Sequence, residues 1–158
     1  MPELRASLTS AGFDDVRTYL QSGNVVLSSN GSPEQVAREC ERQIASRFGL
    51  DIDVVVRTRG ELAEVVRRDP LAEVAVNPKR YQVSFLAAKP DPEAVRKLAA
   101  VTVAPEQFVA IDREIYAWHP DGIGRSRLWA LLAGRGLGFT ATARNWSTVT
   151  NLLALANE

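Results

Sequence analysis

The order in which helix-period and strand-period segments succeed one another constrains this chain most. From Pro2 to Ala11, Leu4, Leu8 and Ala11 share one helical face, and Gly12 is placed to end the helix. Two extended runs follow, Asp15–Leu20 and Asn24–Ser28, joined by the turn-forming set Gln21-Ser22-Gly23-Asn24, with Gly23 expected at positive φ. Ser32-Pro33-Glu34-Gln35 opens a helix with a cap, a proline in the first turn and a capping-box glutamine. Val36, Cys40, Ile44 and Phe48 recur every four residues as its buried stripe, and Gly49 ends it. Asp51–Val56 alternates polar and apolar side chains and predicts a strand; Thr58 with Glu61 caps a helix that ends before Pro70.

After a weakly periodic stretch the order resumes. Tyr81–Ala87 reads as a strand, and Asp91-Pro92 opens a helix carrying Val95, Leu98 and Ala99. Gln107–Ile111 and Glu114–Trp118 form a hairpin turning at Asp112-Arg113. Gly124–Arg135 reads as a helix carrying Leu128, Leu131 and Leu132, and Asn145 caps a last helix with Val149, Leu152, Leu153 and Ala156 inward.

Both halves approach the order β-α-β-β-α-β, so the expected fold class is α+β, built of two ferredoxin-like subdomains. The first spans residues 1–70, a connector 71–80, and the second, with the final helix, 81–158. The repeat lies in element order and not in residue identity. The first subdomain lacks its initial strand, which in this motif lies mid-sheet, and such a slot exposes unpaired backbone groups. Three resolutions stand open. The start is internal to a longer reading frame, which is the resolution favoured here; a neighbouring copy closes the sheet, giving a homodimer; or the first half is rearranged.

Composition narrows the class. The 158 residues are 46% hydrophobic and 24% charged with zero net charge, ordinary for a globular protein. No apolar run approaches the roughly 20 residues that cross a bilayer, and Met-Pro-Glu-Leu-Arg lacks a signal-peptide layout, so a cytoplasmic protein without membrane contact is expected. One cysteine and one histidine predict neither a disulfide nor a zinc cluster, so no metal is expected. Cys40, on an apolar stripe, reads as a small buried hydrophobe.

The charge distribution is asymmetric. From Gly122 to Asn157 there are four arginines, Arg125, Arg127, Arg135 and Arg144, and no acidic residue, so a neutral chain presents a positive region to an anionic partner. The alternative is that these are ordinary solvated side chains. Gly122-Ile-Gly-Arg-Ser precedes a helix: Gly122 and Gly124 let amides approach an anion, and Arg125 and Ser126 add donors. The same glycines equally turn a tight corner into a capped helix. The segment is neither a dinucleotide fingerprint nor a Walker loop, and no cofactor is expected. Arg144 and Asn145, at the last helix start, form a similar donor pair, and Trp146 beside them packs a core or stacks a ring. Gln21, Ser22 and Asn24 offer donors and acceptors to a ligand edge and equally make a turn. His119, the sole imidazole, and Asn24 are the candidate catalytic groups; no Gly-x-Ser-x-Gly elbow accompanies the histidine, which also suits a turn.

Val16-Arg-Thr-Tyr-Leu-Gln-Ser-Gly-Asn-Val-Val26, Gly122-Ile-Gly-Arg-Ser-Arg-Leu128 and Ala141-Thr-Ala-Arg-Asn-Trp-Ser-Thr-Val149 together resemble the bacterial domain of unknown function 1697. The resemblance implies two intertwined ferredoxin-like subdomains and no established activity. Members usually open with an apolar strand and an Arg-Gly-Ile-Asn-x-Gly-Gly-like loop, and this sequence has neither.

Three functional readings follow. One is a binding module for a phosphorylated small molecule, nucleotide or nucleic acid, with Tyr116 and Trp118 sharing a sheet face on which bases would stack, marked by strong salt dependence. Another is an enzyme acting on a small anionic substrate, clamped by Arg125 and Arg144, with Asn24 or His119 near the chemistry. The third is an interaction or self-assembly module using the incomplete sheet.

Overall fold

The computed structural model describes residues 2–19, 23–133 and 140–158. The fold is α+β, and the chain divides into two compact units, Met1–Leu62 with Asn151–Glu158, and Ala63–Thr150. No helix among the described residues is long and apolar enough to cross a membrane.

The first unit contains α1 (Pro2–Ser10), β1 (Asp14–Tyr19), β2 (Asn24–Ser28) and α2 (Pro33–Phe48), and α3 (Arg59–Arg68) begins in it. β1 and β2 pair antiparallel from Asp14↔Ser28 to Tyr19↔Asn24, and Gly23 has φ +85°, as its turn position requires. Ser32 and Gln35 form the expected capping box, and Gly49 closes α2 at φ +68°. Leu4, Leu8, Phe13, Val16, Val36 and Cys40 make the core, with Ile44, Val54 and Val56 packed against it. Burial pushes the Cys40 thiol up to about 11, which keeps it protonated and inert.

Two expectations fail here. Phe48 is 41% exposed, because the α2 stripe outruns the core by its last turn. Asp51–Val56 forms no strand: Val54 and Val56 turn inward as the alternation predicts, but the Val54 amide donates to Glu41 Oε2 (2.9 Å) and not to a ladder. Apolar alternation sets which side chains face a core, whereas a strand also needs a backbone partner.

The second unit continues α3 and adds β3 (Tyr81–Leu86), α4 (Pro92–Val101), β4 (Gln107–Ile111), β5 (Glu114–Trp118), α5 (Arg127–Ala133), β6 (Ala141–Asn145) and the start of α6 (Trp146–Ala156). Its sheet has the order β4-β5-β3-β6, antiparallel throughout, with every residue of β3 buried. On one face Leu86, Ile115 and Ala117 pack with Leu98 of α4 and Leu128 and Leu132 of α5.

The other face carries the aromatics, and it is closed. The Tyr116 hydroxyl donates to the Val65 carbonyl (2.7 Å), Tyr81 donates to Asp69 (3.0 Å), and Trp146 stacks on Tyr81 with centroids 4.7 Å apart. Arg68 pairs with the buried Glu114 at 2.6 Å. Tyr116 is 0% and Trp118 8% exposed, so the expected stacking platform for bases is core.

Two boundaries also differ from expectation. β6 is an unanticipated strand, five residues abutting the Asn145 cap. α5 begins at Arg127 and not at Gly124, because the Ser126 hydroxyl accepts the Trp129 amide (2.9 Å) as its cap; Arg135 lies outside the described residues.

Candidate functional site

The register of the β4–β5 hairpin builds the site. Gln107 lies opposite Trp118, so the residues just outside that pair, Glu106 and His119, come side by side. The His119 amide extends the sheet by donating to the Arg80 carbonyl (2.9 Å). The chain then turns, Gly122 N–H bonding the His119 carbonyl (2.9 Å), with Gly122 at φ +85°. Ser126 closes the loop at the start of α5.

Glu106 is the centre of a small network. Its Oε2 accepts from His119 Nδ1 (2.7 Å) and from the Ser126 hydroxyl (2.5 Å), while Ser126 Oγ and His119 Nδ1 are 3.3 Å apart. The hydroxyl has one proton, which goes to Glu106, and Nδ1 supplies the second donor. His119 is fully buried, edge-on to Trp129 at 5.9 Å, and its Nε2 has no hydrogen-bond partner among the described residues. A nucleophile–base–acid relay needs serine and carboxylate on opposite ring nitrogens. Here both lie at Nδ1, so the imidazole holds the carboxylate in place and does not activate the serine.

An open cleft of about 600 Å³ lies beside this network. One wall is Val103, Ala104, Pro105 and Glu106, and the other is Asp121, Gly122, Gly124, Arg125 and Ser126. Four residues singled out in the sequence, Gly122, Gly124, Arg125 and Ser126, therefore meet at one place. Glu106 and Asp121 were missed; the only signal for Glu106 was its position one residue before a strand that pairs beside His119. Among the described residues Arg125 is the one cation in the lining, set against two carboxylates.

The other candidates lie elsewhere. Arg144 and Asn145 do not line the cleft. Arg144 Nη1 donates to Thr142 Oγ1 and the Ala143 carbonyl, both at 2.8 Å, and burial pulls its pKa down. Asn145 caps α6 as expected, its Oδ1 accepting the Thr148 amide (2.9 Å). Asn24, in the first unit, is buried and donates to the Tyr19 carbonyl across its hairpin (3.1 Å). Gln21 and Ser22 lie outside the described residues. Among the described residues no three His, Cys, Asp or Glu side chains gather as metal ligands.

Comparison with known proteins gives a fold and a family. A solved structure of a conserved bacterial protein from Streptococcus pneumoniae superposes with a TM-score of 0.74 at 17% identity, covering 99% of this chain and 88% of that one. No curated protein matches the sequence. The model of a protein family of unknown function, DUF1697, matches residues 1–116, and the chain belongs to that family.

Proposed function

We propose that the second unit binds a small phosphate-bearing molecule in the cleft between the Val103–Glu106 and Asp121–Ser126 loops. The convergence of Gly122, Gly124, Arg125 and Ser126 on one cleft of about 600 Å³ supports this most, a size usual for small-molecule sites. Ser126 is consumed as cap and as donor to Glu106, so the anionic group is met by the exposed Arg125. A charge-assisted contact of this kind contributes about 1.5–3 kcal/mol. A thermal-shift titration with sugar phosphates and nucleotides tests the reading. Wild type melts higher with a phosphate ester present, and Arg125→Ala loses on the order of 10- to 100-fold in affinity. Equal shifts in both proteins, or none in either, overturn it.

The architecture belongs to the same reading. The order β3-α4-β4-β5-α5-β6 with strands arranged β4-β5-β3-β6 supports a ferredoxin-like second unit. By the same scheme, a central strand would lie between β2 and residues 51–56, and the described residues of the first unit supply none there. Self-association through that unit is the second reading, favoured by the missing ladder at 51–56. Light scattering that finds only monomer at high concentration removes it.

A further inference from the structure

We infer that Glu106 is the specificity-determining residue of this cleft, and that it selects a phosphate ester carrying adjacent hydroxyls over inorganic phosphate. The inference rests on the cleft reading above and names its ligand class. Charge is the first argument. Among the described residues Glu106 and Asp121 face one guanidinium, so a bare phosphate meets more negative than positive charge there and is repelled. A ligand enters only if it brings donors for the carboxylates along with its single anionic group.

Geometry is the second argument. Oε2 of Glu106 is taken by His119 and Ser126, which leaves Oε1 as the oxygen with no hydrogen-bond partner among the described residues. His119 is fully buried and Ser126 is tied to the Trp129 amide, so the carboxylate is held from behind by two fixed groups. A carboxylate immobilised in this way loses little side-chain freedom on binding a hydroxyl. Val103 and Pro105 on the same wall give the carbon face of a sugar an apolar surface. A free sugar phosphate and the ribose phosphate of a nucleotide share this chemistry.

Calorimetric titration of the full chain with ribose 5-phosphate, 2-deoxyribose 5-phosphate, AMP and inorganic phosphate is the test. Wild type prefers ribose 5-phosphate over both the deoxy compound and inorganic phosphate by about tenfold or more, the usual value of hydrogen bonds to a charged group. In Glu106→Gln the preference falls to within about threefold on the same scale. Ser126→Ala weakens it with the Glu106 charge retained, and Ser126→Thr restores it. Because the preference is a ratio measured on one sample, a partly unfolded variant does not alter it. Tighter binding of AMP than of ribose 5-phosphate assigns a nucleotide; equal binding assigns the sugar phosphate. A preference kept in Glu106→Gln, or absent from wild type while Arg125→Ala still loses phosphate binding, overturns this inference and leaves the cleft reading standing. No binding by any probe overturns both.

Discussion

At Gly122 and Gly124 two identical residues in one loop have different structural duties. Gly122 sits at φ +85°, where an L side chain is strained by about 1–2 kcal/mol, although a Cβ there would meet nothing within 4 Å. Gly124 also has open space but no positive φ. Gly122→Ala is therefore expected to lower unfolding free energy by about 1 kcal/mol in urea titration, and Gly124→Ala to stay within about 0.5 kcal/mol of wild type. Equal losses would mean that steric crowding, and not backbone conformation, sets the loop. His119 shows where the sequence stops being readable at this scale. Its chemistry as the lone imidazole is plain from composition, but its partner depends on the β4–β5 register, and pairing between strands is a property of the folded sheet. Glu106 carried no local signal of a site, since an acidic residue before a strand ordinarily faces water.

Among the elements, those announced by their own ends were legible. Ser32 with Gln35 and Thr58 with Glu61 close reciprocal caps, Asp91 accepts the Ala94 amide at 2.9 Å, and Ile111 pairs Glu114 across Asp112-Arg113. These are local bargains between neighbours. β6 was not legible: Ala-Thr-Ala-Arg-Asn has little β propensity and becomes a strand by lying against β3. Asp51–Val56 is the reverse case, a good pattern without a ladder. Hydrogen exchange separates the two. The Val55 amide is expected to exchange on the order of 100-fold or more faster than that of Val83, which is fully buried in β3 between two paired strands. Matching protection at both sites would place Val55 in a ladder and remove the argument for an unfilled position beside β2.

For the molecule as a whole, buried neutral acids decide the response to alkali. Burial pushes the Tyr116 phenol up to about 12, from an ordinary value of 10.0. Burial raises Tyr81 further still, with the Asp69 hydrogen bond and charge adding to it. In the first unit Cys40 stands at about 11 against an ordinary 9.0. In each case the native state keeps a proton that the unfolded chain gives up first. The unfolded state then binds fewer protons, so stability falls as pH rises. The loss begins near pH 9 in the first unit and runs to about 11; in the second it begins near pH 10 and, for Tyr116, runs to about 12. Below those onsets these groups leave stability independent of pH. Trp118, Trp129 and Trp146 are the only tryptophans and all fall within Ala63–Thr150, so fluorescence during urea unfolding reads the second unit by itself. Tyr116→Phe removes the hydrogen bond to Val65 and is expected to cost about 1 kcal/mol at pH 7. Between pH 10 and 12 the same variant should lose stability less steeply than wild type, by up to about 1.4 kcal/mol per pH unit, the slope of one withheld proton. Tyr81 remains in that variant and continues to withhold its own, so the slope shrinks without vanishing. Parallel slopes in the two proteins would show that Tyr116 ionises as readily folded as unfolded, and that its burial against α3 is not what holds its proton.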